Sequence, residues 1–339
     1  MADLHLLDDA AAVFAGDHVA ALDRLAGPTL LRVPGVAPRP RARFVAALLH
    51  GNEESGYLAV AELLASGRRF PFDLWVFIGN VAAARADGRF GHRFLDGQED
   101  YNRVWERTPE GSPERRLTRQ VLDVLDAVDL EAALDLHNTT GTNPPHVILP
   151  AGDPGTAALG GALGDLALRW RLPAYTSMEA VSRRCPAVVV ECGMAGLPAS
   201  TAVARTVLER FLALPAVPAA GAPAQVYDMR ERVVVRGEAR FAFGGALTGD
   251  LDAVLDPDLD RANFTMLFAG HVLARVHPGG AVPLRAAAMD GVDRTEETFT
   301  VEADGRVRLR RDVMPVMMTR DVVQTRRDCL CYLVRLGCG

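Results

Sequence analysis

Four short apolar runs, each ending abruptly in polar residues, constrain this chain more than any other feature of its sequence. Residues 44–49 (FVAALL), 74–78 (LWVFI), 132–136 (AALDL) and 187–190 (AVVV) are apolar at nearly every position rather than at every second one. A strand of that kind has both faces buried, as in a mostly parallel sheet covered by helices. The intervening segments have helical spacing: residues 57–66, 113–128, 156–170 and 200–214 each predict a helix. Residues 3–26, with Leu4, Leu7, Ala11 and Phe14 in step, predict an opening helix that stops before Gly27 and Pro28. The expected fold class is α/β.

The pattern changes near residue 215. Residues 214–225 (LPAVPAAGAPAQ) are rich in proline and alanine, have neither period, and predict a linker over about residues 215–225. Beyond it, short strands are expected around Val233, Phe241, Leu273, Phe299 and Val307, punctuated by GG, PGG and DG turns. The expected organisation is a first domain over residues 1–214 and a small β-rich domain over residues 226–339.

Composition narrows the chemistry. The chain has 339 residues, and all 37 basic ones are arginine. Schiff-base and pyridoxal-phosphate catalysis and phosphate loops ending in Gly-Lys-Ser/Thr are thereby excluded. With 43 acids the net charge is -6, which argues against a general grip on nucleic acid or an anionic membrane. The five cysteines, Cys185, Cys192, Cys329, Cys331 and Cys338, are odd in number and form no C-x-x-C pair. A reduced compartment is expected rather than a disulfide framework. An acidic N-terminal stretch and the lack of an apolar run of about 20 residues point to a cytoplasmic protein.

Ligands of parallel α/β sheets collect at the carboxyl ends of the strands. Residues 44–49 run into His50-Gly51-Asn52-Glu53-Glu54, a turn that can aim an imidazole and a carboxylate at one point. Residues 132–136 run into His137-Asn138-Thr139-Thr140. Two imidazoles and one carboxylate are the protein ligands of one type of catalytic zinc site, which keeps a fourth position for water. Either Glu53 or Glu54 could supply the carboxylate, and a lone histidine at a strand end is equally an ordinary structural residue. Asp135, on the same strand face as His137, could accept a histidine N–H. The fourth run ends in Glu191-Cys192-Gly193, where a carboxylate at the edge of an apolar environment suits a general base. Cys192 should face away from Glu191 as a buried thiol. Between the histidine segments lie Asn80, Arg93 to Asp96 and Asp100 to Arg103. Arginine forks match carboxylates, though a solvated loop would look the same. The spacing of Cys329, Cys331 and Cys338 fits no standard zinc pattern.

Taken together, H-G-N-E (His50 to Glu53), Asn80…Arg93…D-Y-N-R (Asp100 to Arg103), D-L-H-N-T-T (Asp135 to Thr140) and V-V-E-C-G (Val189 to Gly193) resemble, in order and spacing, the succinylglutamate desuccinylase/aspartoacylase family. That resemblance implies a carboxypeptidase-like fold, a mixed sheet between helices followed by a small C-terminal β domain that narrows access to the site. It implies one zinc ion per chain held by His50, Glu53 and His137, water activation by Glu191, and polarisation of the scissile carbonyl by Arg93. It further implies a small N-acyl amino acid as substrate, its carboxylate held by Asn102 and Arg103 in a site that also includes Asn80. Relatives that cleave N-acetylaspartate carry a further arginine shortly before the catalytic glutamate. Here that position falls near Val181, with Arg183 and Arg184 close by. Those relatives also carry a tyrosine from the C-terminal domain, whereas residues 314–328 (MPVMMTRDVVQTRRD) contain none. His146, in the segment N-P-P-H, could contact substrate or cap a loop. A carboxypeptidase acting on short peptides and a non-catalytic zinc-binding scaffold are the competing readings, and a homodimer is compatible with each.

Overall fold

The computed structural model describes residues 4–7, 11–37, 41–106, 111–170 and 175–337, with the backbone alone at residue 327; Cys338 lies outside the described residues. The chain divides into two compact units. Unit 1 comprises Met1–Asn138 and Pro145–Gln225, and unit 2 comprises Thr139–Pro144 and Val226–Gly339.

Unit 1 is built on strands β1 (His5–Leu7), β2 (Thr29–Val33), β3 (Ala42–Ala47), β4 (Asp73–Ile78), β5 (Leu130–Thr139), β6 (His146–Leu149), β7 (Leu166–Arg169) and β8 (Ala187–Met194). They lie in the order β1-β2-β4-β3-β5-β8-β6-β7. The centre is parallel: β3 pairs in parallel with β4 on one side and β5 on the other. Ala47 lies opposite both Ile78 and Leu136; β3 and β4 end there, while β5 runs on to Thr139 and carries His137 at the level where Leu48 and Gly79 leave the sheet. Strands β2 and β8 bring antiparallel partners, β2 to β4 and β8 to β6, and the sheet is therefore mixed. The apolar runs behave as their composition requires, with Phe44, Val45, Ala46, Val76, Phe77 and Leu134 fully buried. Each such side chain contributes about 1.5–3 kcal/mol by leaving water.

Helices flank this sheet. α1 (Ala11–Phe14), α2 (His18–Ala21), α3 (Glu54–Ala65), α4 (Val81–Arg85), α5 (Pro113–Asp126), α6 (Pro154–Leu163), α7 (Ser177–Val181) and α8 (Pro198–Ala213) follow in chain order. The start of α5 was legible: Ser112 accepts the Arg115 N–H at 3.2 Å and Pro113 occupies the first turn. Its buried Leu117, Val121, Leu122 and Leu125 follow the helical period.

Two sequence expectations are corrected. Residues 3–26 are not one helix. His5–Leu7 pairs in parallel with Thr29–Leu31, Gly16 turns left-handed at φ 80°, and Asp17 caps a new helix by accepting from Val19 and Ala20. A neighbouring strand offered the first apolar residues a ladder that periodicity could not reveal. The helix expected over residues 156–170 ends at Leu163. Gly164 is extended, and Leu166–Arg169 joins β6 in parallel as β7. Leu166 and Leu168 fit a two-residue alternation as well as a helical one, and the open edge of β6 decided between them.

Unit 2 is β-rich. β9 (Gln225–Val235) pairs with β13 (Leu284–Ala288) and with β17 (Cys331–Leu336), which pairs with β16 (Met314–Val316). A second sheet runs β10 (Phe241–Phe243), β11 (Ala253–Leu255), β12 (Val272–Val276), β15 (Arg306–Leu309) and β14 (Phe299–Val301). Leu255, Leu273, Leu284 and Val307 belong to the core of this unit.

Candidate metal and catalytic site

The site is assembled where β3 ends and β5 runs on beside it. After Ala47 the chain turns at Leu48, a buried non-glycine residue in the left-handed region (φ 59°) whose carbonyl accepts the Asn80 N–H at 2.6 Å. Such a conformation is costly for leucine and is kept where the surroundings dictate it. Gly51 follows: a Cβ there would stand 2.6 Å from the Ala83 Cβ and the Ala84 nitrogen, so the turn can pass α4 only as glycine. The turn delivers His50 and, at the N-cap of α3, Glu53.

His50 Nδ1 lies 2.7 Å from Glu53 Oε1, and His137 Nδ1 lies 2.7 Å from Glu53 Oε2. The three residues are buried, with one ligand atom from each within 4.8 Å of the others, and form a group able to hold a metal ion. The far nitrogens are engaged as well. His50 Nε2 is 2.9 Å from Asp100 Oδ1, and His137 Nε2 is 3.0 Å from Asp135 Oδ2. Each imidazole thus has a carboxylate behind it that fixes its ring and leaves Nδ1 for the shared centre. Glu54 points elsewhere, accepting the Gly196 N–H at 2.6 Å.

The surrounding charges are unbalanced. Burial alone would raise the Glu53 carboxyl, but the charges and hydrogen bonds of His50 and His137 outweigh it and hold it well below the usual range. Asp100, likewise opposed by burial, is held down by Arg93, His50 and Arg103. Burial disfavours the charged form of His137, yet Asp135 and Glu53 raise it well above its ordinary value. Burial pushes Glu191 up to about 7, with Glu53 reinforcing the rise and His137, His50 and Arg93 opposing it. Glu191 Oε2 is buried and has no hydrogen-bond partner among the described residues. Four carboxyl groups therefore meet two imidazoles and the guanidinium groups of Arg93 and Arg103. A buried donor set of two imidazoles and a carboxylate, with an unpartnered carboxylate oxygen in its field, fits a divalent cation.

Other residues singled out from the sequence occupy varied places. Arg93 donates to Asp100 Oδ2 at 3.0 and 3.2 Å and approaches Glu53 Oε1 at 3.4 Å. Asn102 is engaged at both ends of its amide, accepting from Ser177 N at 2.9 Å and standing 3.4 Å from His137 Nε2. It is thus spent inside the protein rather than left to grip a ligand. Arg103 donates to the Asn102 carbonyl at 2.8 Å. Asn80 caps α4 and donates to Gln98 at 3.0 Å, a structural post beside the turn. His146 lies directly opposite Glu191 in the antiparallel β6–β8 register. Arg183 is exposed, and Arg184 pairs with Asp126, at the end of α5 that leads into the start of β5. The structure therefore places Arg184 at the opposite end of that strand from His137. Cys192 is buried, as are Cys185, Cys329 and Cys331, and burial raises every one of these thiols.

Two contributors had no role assigned from the sequence. Asp100 sits within D-Y-N-R but only the fold shows it behind His50. Ser177 donates to Asp135 Oδ2 and gives its N–H to Asn102, at the start of a helix capped by the Thr176–Glu179 box. The T-x-x-E spacing was the available signal.

Comparison with known proteins bears on this assembly. The model of the succinylglutamate desuccinylase/aspartoacylase catalytic domain matches residues 40–157, which include His50, Glu53 and His137. Over this segment the chain is similar to that family. No curated protein gives a significant match to it. Among solved structures, a succinylglutamate desuccinylase from Vibrio parahaemolyticus aligns at 16% identity over 91% of this chain and 86% of that one, with a TM-score of 0.59. A succinylglutamate desuccinylase/aspartoacylase from Rhodobacter sphaeroides aligns at 15% identity over 91% and 88%, with a TM-score of 0.58. A product-bound ectoine utilization protein from Ruegeria pomeroyi aligns at 16% identity over 90% and 88%, with a TM-score of 0.56. At such identities these similarities establish the shared fold. Among the described residues, no helix is long and apolar enough to cross a membrane.

Proposed function

We propose that this chain is a zinc-dependent hydrolase that cleaves the amide bond of a small N-acyl amino acid. The observation that carries the reading is the buried His50–Glu53–His137 group, with the unpartnered Glu191 Oε2 in its field. One zinc ion bound by those three residues would act as a Lewis acid toward water and the scissile carbonyl. Glu191 takes the proton of the attacking water at Oε2 and passes it to the leaving nitrogen. Burial raises this carboxyl to about 7 in the metal-free protein, and a carboxyl so placed suits a general acid–base. Arg93, anchored by Asp100, stabilises the negative charge that develops on the carbonyl oxygen. Asp100 and Asp135 hold the two imidazoles. Arg103, partly exposed beside this cluster, would hold a substrate carboxylate through its planar fork of donors. The names of the relatives support an acyl amino acid over a peptide.

A panel of N-acetyl and N-succinyl amino acids and short peptides, assayed with metal analysis, tests the proposal. Glu191→Gln should keep its zinc and lose turnover. Wild-type rates in that variant, or hydrolysis of peptides alone by the wild-type protein, would sink the assignment.

A further inference from the structure

His137 is followed in β5 by Asn138, whose side chain alternation turns to the opposite face of the sheet from the imidazole. Asn138 is buried, and both ends of its amide are engaged. Its side-chain oxygen accepts the Ser55 N–H at 3.1 Å, and its side-chain nitrogen donates to the Gly193 carbonyl at 3.0 Å. Its own backbone N–H goes to Glu53 Oε2 at 3.1 Å. One residue of unit 1 thus joins three segments of that unit, each of which carries a group of the proposed chemistry.

Ser55 lies in the first turn of α3, the helix whose N-cap is Glu53. This turn sits tight on β5: a Cβ at Gly56 would stand 2.6 Å from the Leu136 Cβ and 2.9 Å from the Leu136 carbonyl oxygen. Gly193 lies two residues after Glu191 in β8 and takes φ 106°, a conformation open to glycine. A Cβ there would stand 2.9 Å from the Ser200 hydroxyl, which donates to the Met194 carbonyl at 2.7 Å. Ser200 is buried in the first turn of α8. The strand end that carries Glu191 is therefore pinned from two sides, by Asn138 of β5 and by Ser200 of α8.

A general base works only when its carboxylate stands within hydrogen-bond reach of the proton it takes. Glu191 Oε2 has no partner among the described residues to hold it there, so its place depends on the backbone of β8. That backbone passes at Gly193 through the residue type with the most conformational freedom. A displacement of about 1 Å caused by a change away from the chemistry can cost about 10²-fold in rate. We propose that Asn138 and Ser200 are positioning residues: Asn138 holds the α3 turn that carries Glu53 and the β8 end that carries Glu191 in one frame, and Ser200 locks the same β8 end through Met194. The inference rests on the proposed reading of His50, Glu53 and His137 as metal ligands and of Glu191 as general base.

The test joins two measurements on the full chain, well below its melting temperature: zinc affinity by competition with a chelator, and kcat and KM on the best N-acyl amino acid of the panel. Asn138→Ala loses both amide bonds and should weaken zinc by about tenfold, because the turn that carries Glu53 loosens. It should also lower kcat by about 10–100-fold while KM stays within about twofold of wild type. Ser200→Ala deletes one hydroxyl on the β8 side alone, and should lower kcat by about three- to tenfold with zinc affinity unchanged. Leu125→Ala opens a cavity under α5, which leads into the other end of β5; it should lower the melting temperature and leave kcat and zinc affinity at their wild-type values. A merely structural role for Asn138 and Ser200 would give that same pattern. Wild-type zinc affinity in Asn138→Ala, wild-type kcat in either positioning variant, or an equal kcat loss in Leu125→Ala would overturn the proposal. Should Asn138→Ala not fold, Ser200→Ala decides alone. Zinc binding indifferent to His50→Ala, or wild-type turnover in Glu191→Gln, would instead overturn the reading beneath it.

Discussion

At the amino end of β3, Arg43 is 1% exposed and its guanidinium is fully used. It donates to Glu131 at 3.1 Å, to the Phe211 carbonyl at 2.7 Å and to the Leu214 carbonyl at 2.6 Å, and it lies 4.0 Å over the Phe72 ring. The charge caps the carboxyl end of α8, where free carbonyls and the helix dipole favour a cation. At the carboxyl end of the same strand, four carboxyl groups crowd two imidazoles, and Glu191 keeps an oxygen without a partner among the described residues. Both ends bury ions. The first is closed, with its donors and acceptors paired by the fold itself, whereas the second keeps an unpartnered carboxylate oxygen beside displaced pKa values, and that difference separates a functional site from a structural one.

Removing the key group from each end sharpens the contrast. Glu191→Gln should lower kcat by about 10²–10⁴-fold, the range for loss of a general acid–base, with zinc content unchanged by metal analysis. Arg43→Leu should destabilise the fold by about 3–5 kcal/mol in urea unfolding, because Glu131 and the last carbonyls of α8 lose their partner, without altering zinc affinity. If Arg43→Leu proved silent in stability, the amino end would not be the closed network described.

Titration should also tell the ends apart. In the metal-free protein the folded Glu191 carboxyl holds its proton up to about 7, against an ordinary value of 4.5. Its contribution is fully present below the unfolded value and is lost as pH rises through about 7. Unfolding free energies at pH 5 and pH 8 should therefore drop by on the order of 3 kcal/mol more in wild type than in Glu191→Gln. Parallel curves would remove Glu191 from the strained cluster. Finally, zinc at a hundredfold excess over its dissociation constant should stabilise wild type by about 2.7 kcal/mol in urea unfolding, and should do so equally in Arg43→Leu. His50→Ala should abolish that gain.

The strands at the centre of unit 1 were readable because each sits between two others and must be apolar throughout, as Phe44, Val76 and Leu134 are. The edges were not: His5–Leu7 and Leu166–Arg169 are short, and their state depends on which neighbour offers a ladder. The site divides in the same manner. His50 and Glu53 follow β3, and His137 and Glu191 lie toward the carboxyl ends of β5 and β8, where the chain itself points to ligands, whereas Asp100 and Ser177 are distant in sequence from the groups they hold.

By itself, the sequence determined the central strands, the donor types at their ends and an arginine-only supply of cations. Periodicity and residue chemistry are local properties that survive without a fold. Tertiary structure decided that β5 runs past the end of β3 with His137 and that each imidazole has its own carboxylate. It also decided that Asn102 is spent within the protein, Arg184 lies at the far end of the strand and Thr139–Pro144 packs with unit 2. Those outcomes depend on register and on distances between residues far apart in the chain, which no local pattern encodes.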